Sequence, residues 1–369
     1  MSEKKIFITG GGTGGHIYPA VAVADALKND YELYYVGNPD NLEYSIAIKK
    51  GYKFLPVKVT GMPQKIGTGF IFWGIQLFFA VIRSLFYLNK YKPDVIFGTG
   101  GYVSAPILFA ANIIGNIPYV LHDCDIQPGL VTRKLAPNAK SVSLAFEDAK
   151  RYINNLNCKI NGNPLREEFK YVTKESAIKD LGLKQNRLIL CVMGGSQGSK
   201  TIDKAFVEII KELSCDLKFQ IIFQTGEKNY YDVIDRLSKI YRDYDRNKNI
   251  IIRPYFEDMV KVMKASDIVI SRAGSLSLSE IFASKAAPVL IPYPYAAADH
   301  QRKNAKYVLE HGACIYLEDK DTDPNSLMEI LKDLYDNPQK TEELKEKSSK
   351  LAKPDALGSI TAQIESAIQ

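Results

Sequence analysis

Short, continuous apolar runs alternate with longer amphipathic segments along the whole chain. KKIFI, RLILCVM, QIIFQTG and APVLIPY lack the polar alternation of a half-exposed strand. Runs of this kind are buried on both faces, as parallel strands covered by helices are. In the first half they predict strands near 4–9, 32–37, 53–59, 94–98, 118–122, 141–145 and 158–161. Helices are expected over 16–28, 41–50, 70–90, 102–115, 128–136 and 147–154. In the second half strands fall near 187–193, 219–225, 249–254, 267–271, 287–292 and 313–317. The pattern implies an α/β chain of two Rossmann-like, doubly wound parallel-sheet domains. In such sheets ligands sit beyond the carboxyl ends of the strands.

The break between halves is expected at INGNPLREEF, where Asn163-Pro164 interrupts regular structure. This gives an N-terminal domain over 1–162 and a C-terminal domain over 163–337. Residues 338–369 are charged and helical in pattern, without a strand, as a tail or a segment packing back across the domains.

Residues 69–90, GFIFWGIQLFFAVIRSLFYLNK, are almost continuously apolar and about long enough to span a bilayer. Gln76, Arg83 and Lys90 recur every seven residues and form one polar stripe. Two readings stand: a core helix of a large domain, or a surface helix dipping into a membrane interface. In the second, Phe70, Trp73, Leu77 and Phe78 meet the lipid, while Lys65, Lys90 and Lys92 meet anionic headgroups. A spanning helix is disfavoured because αβ units lie on both sides of it.

A chain of 369 residues is long for one core. The net charge of +6 suits an anionic substrate or membrane surface as well as nucleic acid, and so decides little. The five cysteines, 124, 158, 191, 215 and 314, form no CxxC pair, which argues against a zinc site or a disulfide framework. The chain enters a strand directly after MSEKK, so no secretory leader is expected.

The candidate chemistry lies in glycine loops between strand and helix. In FITGGGTGGHIYP all of Gly10–Gly15 are glycine except Thr13, and His16 follows. Such a turn before a helix N-terminus suits phosphate. Gly10, Gly12 and Gly15 match the dinucleotide fingerprint, but the second strand ends in Gly37-Asn38, with Asp40 misplaced beyond Pro39. No lysine followed by serine or threonine completes a P-loop. NAD and ATP are therefore weakened; a tight turn without ligand is the alternative. FGTGGYVSAP (97–106) and GGSQGS (194–199) repeat the junction, which suggests phosphates on both walls of a cleft. In SRAGSLSLSEIFA a glycine and three serines open a helix, and Glu280 could accept both hydroxyls of a ribose or merely favour the helix dipole. Asp299, His300 and Gln301 suit sugar hydroxyls.

The set GGGTGGHIYP, GGYVSAP, GNPLR, GGSQGS, RAGSLSLSE and DHQRKNA, in this order over roughly residues 4–340, resembles the MurG family of glycosyltransferase family 28. The resemblance implies a GT-B fold and inverting transfer of N-acetylglucosamine from UDP-GlcNAc. The acceptor would be the C4 hydroxyl of the muramoyl sugar of lipid I, giving lipid II for peptidoglycan. It also implies a peripheral protein on an anionic surface, at the cytoplasmic face of the cell membrane, with no nucleic acid partner. Carried over by position, Thr13, Gly14, Gly15, Asp125, Arg166, Ser196, Phe256, Ser275, Leu276, Ser277, Leu278, Ser279, Glu280 and Gln301 would bind the donor. Glu280 would hold the ribose, Ser196 a phosphate, and Phe256 the uracil through its backbone. Gly100, Gly101 and Tyr102 would face the acceptor diphosphate. One motif departs: His122-Asp123-Cys124-Asp125 stands where the family has His-Glu-Gln-Asn, so a carboxylate replaces a donor-contacting amide.

His16 is the candidate base, with acceptor-phosphate binding or helix capping as its rival roles; Asp123 and Asp125 are other candidate bases. His122 and His311 are expected to be structural. No paired Asp-x-Asp is expected at a strand end, so neither metal nor cofactor is called for. Helix N-termini and Arg166 would then stabilise the leaving diphosphate. Competing functions are transfer to another lipid such as diacylglycerol, a UDP-GlcNAc 2-epimerase on the same fold, or a binding module without catalysis.

Overall fold

A computed structural model describes residues 4–63, 65, 67–195, 198–217 and 219–368. The described chain divides into two compact units, 4–165 with 355–368, and 166–354.

The first unit is built on β1 (Lys5–Thr9), β2 (Glu32–Gly37), β3 (Lys53–Pro56), β4 (Val95–Gly98), β5 (Tyr119–Asp123), β6 (Ser141–Leu144) and β7 (Cys158–Ile160). They form one parallel sheet in the order β3-β2-β1-β4-β5-β6-β7. Its helices are α1 (Gly14–Leu27), α2 (Leu42–Lys49), α3 (Thr68–Tyr91), α4 (Gly101–Ile114) and α5 (Leu130–Leu135). The helix expected over 147–154 is a 3-10 turn, Glu147–Tyr152.

Alternate strand residues point to opposite faces, and the core divides accordingly. Ile6, Ile8, Val95 and Phe97 pack with Ile17, Val23 and Leu27 of α1. Phe7 and Ile96 pack on the other side with Leu88 of α3 and Ile107 and Leu108 of α4.

The second unit repeats the plan. Its strands β8 (Ile189–Met193), β9 (Gln220–Gln224), β10 (Ile250–Arg253), β11 (Ile268–Ser271), β12 (Ala287–Leu290) and β13 (Ile315–Tyr316) are ordered β10-β9-β8-β11-β12-β13. Around them lie α6 (Glu168–Tyr171), α7 (Lys174–Asp180), α8 (Lys200–Cys215), α9 (Tyr230–Ile240), α10 (Met259–Ala265), α11 (Ser275–Ser284), α12 (His300–Glu310), α13 (Pro324–Asp336) and α14 (Pro338–Lys350). Leu190 and Val192 of β8 pack with Ile202, Phe206 and Ile210 of α8, and with Leu327 and Leu331 of α13. The last helix, α15 (Ala356–Glu365), belongs to the first unit, where Ile360 and Ile364 are fully buried beside α1.

Helix α3 connects β3 to β4 and packs on α4. It buries Ala80, Ser84, Tyr87 and Leu88, and only 22% of its most apolar window is inside the fold. Ile71, Phe72, Phe78 and Phe79 are more than half exposed. By length and composition the helix could cross a membrane. Of the polar stripe, Arg83 and Lys90 are exposed, whereas Gln76 turns to the protein. Gln76 accepts from the Thr60 hydroxyl at 2.8 Å, and the Trp73 indole donates to the Thr60 carbonyl at 3.1 Å. Leu77, expected at the lipid, packs against the core instead.

Candidate functional site

In the first unit both glycine loops lie at the carboxyl ends of adjacent central strands, β1 and β4, and they pack on each other. A Cβ on Gly10 would lie 1.9 Å from the Thr99 hydroxyl, and one on Gly101 would lie 2.6 Å from the Gly11 carbonyl. The missing side chains of these two glycines make room for loop-to-loop contact. Gly15 differs: a Cβ there meets only the Thr13 hydroxyl, at 3.8 Å. The open part of the first loop is therefore at Gly15. Neither α1 nor α4 receives a side-chain cap, since their N-cap residues Thr13 and Gly100 make no such bond.

His16 sits where the two loops meet, partly exposed. Its Nδ1 lies 2.9 Å from the Thr99 carbonyl oxygen. A carbonyl only accepts, so Nδ1 carries the proton, and in the neutral ring Nε2 keeps the lone pair. Gly100, Gly101 and Tyr102 come to the same place. The Asn41 side chain donates to the Tyr102 hydroxyl at 3.1 Å.

Beneath the first loop lies Glu43, fully buried and absent from the sequence reading. It accepts from the backbone N–H of Gly12 and of Asn38, both at 3.3 Å, and from the Asn41 amide at 3.2 Å. The Gly12 N–H is thus spent on the protein. Its only sequence signal is an acidic residue in the first turn of a helix, which many helices share.

The 122–125 motif closes this side of the unit. His122 is fully buried between the Ser143 hydroxyl and the Asn163 side-chain oxygen, both at 3.1 Å, and burial pushes its imidazole down to about 4. It is a neutral structural residue. Contrary to expectation, an Asp-x-Asp does stand at a strand end, because Asp123 ends β5 and Asp125 follows Cys124. The ligand atoms of Asp123, Cys124 and Asp125 lie within 4.8 Å of one another, close enough to share a cation. Asp123, however, accepts from the N–H of Gly129 at 2.9 Å and of Asp125 at 3.3 Å, so it also staples the following turn. Burial and the neighbouring Asp125 hold its carboxyl above the usual range. Cys124 Sγ is 4.0 Å from His16 Nδ1.

In the second unit the corresponding strand ends carry the 194–199 loop, α11 and α12. Ser199 caps α8 by accepting from Ile202 N–H at 3.3 Å, and it takes a second bond from Arg272 at 2.6 Å. Gly195 has a φ of +82° and open space on its missing side chain. Ser196, expected to hold a phosphate, lies outside the described residues. Helix α11 opens on Gly274, which has no side chain to cap it, and its first turn holds Ser275, Leu276 and Ser277. Such a start suits an anion. Leu278 is fully buried and its N–H bonds the Gly274 carbonyl at 2.9 Å, so it supports the helix from the core. Ser279 donates to the Ser275 carbonyl.

Glu280 is mostly buried, its side chain 16% exposed, with Arg166 at 3.9 Å. Burial pushes its carboxyl up to about 7, against the opposing pull of the guanidinium. Gln301 accepts the Tyr293 N–H at 3.0 Å through its side-chain oxygen, which turns its NH2 into the remaining donor. Phe256 is buried, and its N–H goes to the Gln224 side chain at 3.0 Å. Only its carbonyl is left for a base, and Gln224 is a further residue that the sequence does not point to. Arg166, Glu280, the start of α11 and Gln301 together offer groups for a diphosphate, a diol and sugar hydroxyls.

Residues 6–144 match the glycosyltransferase family 28 N-terminal domain, and 189–360 match the glycosyltransferase family 28 C-terminal domain. The chain is 36% identical over 367 residues to the UDP-N-acetylglucosamine–N-acetylmuramyl-(pentapeptide) pyrophosphoryl-undecaprenol N-acetylglucosamine transferase of Desulforamulus reducens, with 98% of each chain covered. Among solved structures it resembles MurG of Acinetobacter baumannii, with a TM-score of 0.79 at 24% identity over 98% of this chain and 99% of that one. A putative UDP-N-acetylglucosamine 2-epimerase from Listeria monocytogenes shares the fold at a TM-score of 0.68 and 13% identity, covering 99% and 96%. The GT-B fold alone therefore does not choose the reaction. With both family 28 domains and a full-length relative at this identity, the chain belongs to the MurG family of glycosyltransferase family 28.

Proposed function

We propose that this chain transfers N-acetylglucosamine from UDP-GlcNAc to the C4 hydroxyl of the muramoyl sugar of lipid I, forming lipid II at the cytoplasmic face of the membrane. The full-length identity to a transferase named for this donor and acceptor carries the reading. The acceptor hydroxyl attacks the anomeric carbon as the bond to UDP breaks, in one inverting displacement. The hydroxyl proton passes to Nε2 of His16, whose other nitrogen already donates to Thr99. The start of α11 and Arg166 meet the charge on the departing diphosphate. Glu280 accepts the ribose hydroxyls, Gln301 donates to the sugar, Thr13, Gly14 and Gly15 contact the donor, and Gly100, Gly101 and Tyr102 face the acceptor diphosphate.

His16→Ala is expected to lower kcat by roughly 10²–10⁴-fold, the usual scale of general base catalysis, with UDP-sugar affinity nearly unchanged. Full turnover in that variant would remove His16 as the base. The reaction is written without a divalent cation. Because Asp123, Cys124 and Asp125 form a compact candidate group, turnover in excess EDTA is the matching control; a large loss there would reassign those residues to a metal.

The exposed aromatic face of α3, with Lys90 and Lys92 at its end, supports peripheral attachment to an anionic surface.

A further inference from the structure

We propose that Thr99 is the positioning residue of His16, holding its imidazole as the Nδ1–H tautomer and so keeping Nε2 as the proton acceptor. The inference rests on the reading of His16 as the base. Thr99 is 1% exposed and makes two bonds to the same histidine. Its carbonyl accepts from His16 Nδ1 at 2.9 Å, and its hydroxyl donates to the His16 carbonyl at 2.6 Å. Its own N–H donates to the Thr9 carbonyl at 2.9 Å, which ties the pair to the end of β1. One residue thus grips both the ring and the main chain of His16, from a position 83 residues away.

The surroundings are shaped to admit this grip. Gly10 leaves the space that the Thr99 hydroxyl occupies, since a Cβ there would lie 1.9 Å from it. Gly101 flanks the ring so closely that a Cβ would stand 3.0 Å from His16 Cδ2. Cys124 Sγ lies 4.0 Å from Nδ1, and a thiol is a weaker acceptor than the Thr99 carbonyl. The hydroxyl matters although the carbonyl belongs to the backbone, because it sets the first turn of α1 at the distance where ring and carbonyl meet. Without it the ring is free to shift, and the Nε2–H form that free histidine favours becomes available. In that form the nitrogen needed as a base already carries a proton.

The test is Thr99→Val, which keeps the shape and removes the hydroxyl, with Thr99→Ser as the conservative rescue. Imidazole 15N chemical shifts of His16 report the tautomer directly. Wild type and Thr99→Ser should show Nδ1 protonated and Nε2 bare, and Thr99→Val a mixture of both forms. In step, kcat should fall roughly 10–100-fold in Thr99→Val, the scale of a small misplacement at a reacting group. KM for UDP-GlcNAc should stay within about twofold, and Thr99→Ser should restore kcat. A single Nδ1–H tautomer in Thr99→Val overturns the proposal, whether or not turnover falls. Full turnover in His16→Ala, with the tautomer change in Thr99→Val intact, would instead end the reading of His16 as base and leave the grip itself standing.

Discussion

Glu43 and Asp203 are buried carboxylates, each beside a glycine loop, and their environments differ. Glu43 is surrounded by three N–H donors. Asp203, in the first turn of α8, accepts from Asn229 at 2.7 Å through one oxygen, while its other oxygen has no partner among the described residues. Burial pushes the Asp203 carboxyl up to about 7, although Asn229, Ser199 and Arg272 all favour the charged form. An acid whose folded value lies above its unfolded one takes up a proton on folding. Its contribution is complete below about pH 4 and drains away as pH rises towards 7. Asp203→Asn should therefore flatten the stability profile of urea unfolding over that window, by on the order of a few kcal/mol between its ends. An unchanged slope would mean that Asp203 is ionised in the fold. Residues of this kind are the part of the site that one-dimensional reading misses. The glycines, His16 and Glu280 stand out by type and by their place after a strand. Thr99, Glu43 and Gln224 act through contacts 83, 31 and 32 residues away, and no local pattern announces them. Nor does a glycine's letter say whether its missing side chain leaves open space, as at Gly15, or makes room for Thr99, as at Gly10.

The strands were legible because a strand covered on both faces must be apolar throughout, and few other segments are. Their ends were less so: the run expected over 53–59 pairs only through Pro56, and the one over 313–317 pairs only at Ile315 and Tyr316. Helix α3 shows where periodicity stops short. Its polar stripe left a core helix and a surface helix both open, and in the fold Gln76 bonds to Thr60 while Phe72, Phe78 and Phe79 are exposed. Helix α11 permits a test of the anion site at the scale of one element. Gly274 has ordinary negative φ, and a Cβ there meets only the Ser277 hydroxyl at 3.9 Å, so a side chain fits. Gly274→Asp should cap the helix and stabilise the fold by roughly 0.5 kcal/mol. The same carboxylate should repel a diphosphate and weaken UDP-GlcNAc binding at least tenfold. Stabilisation with unchanged donor affinity would place the diphosphate elsewhere.

For the molecule as a whole, the doubled α/β plan could be read from the sequence, whereas for the C-terminal segment a tail and a segment packing back were both left open. Helix α15 returns to the first unit, where Gln363 accepts from Asn161 at 2.6 Å and Asn161 also donates to Ser143, the partner of His122. Surface character is a property at the same scale. The net charge of +6 and the bare aromatic face of α3 together predict binding to anionic vesicles. Phe72→Ser with Phe78→Ser should reduce co-sedimentation with such vesicles by about tenfold and leave the folded core intact; equal binding by the double variant would assign the exposed face another partner. The central claim is tested most directly by radiolabel transfer from UDP-GlcNAc in vesicles that carry lipid I and diacylglycerol together, with UDP-glucose and UDP-galactose as competitors. The account predicts label in the muramoyl-linked lipid alone, undiminished by either competitor. Label in diacylglycerol, or none in lipid I with folded enzyme, would contradict it.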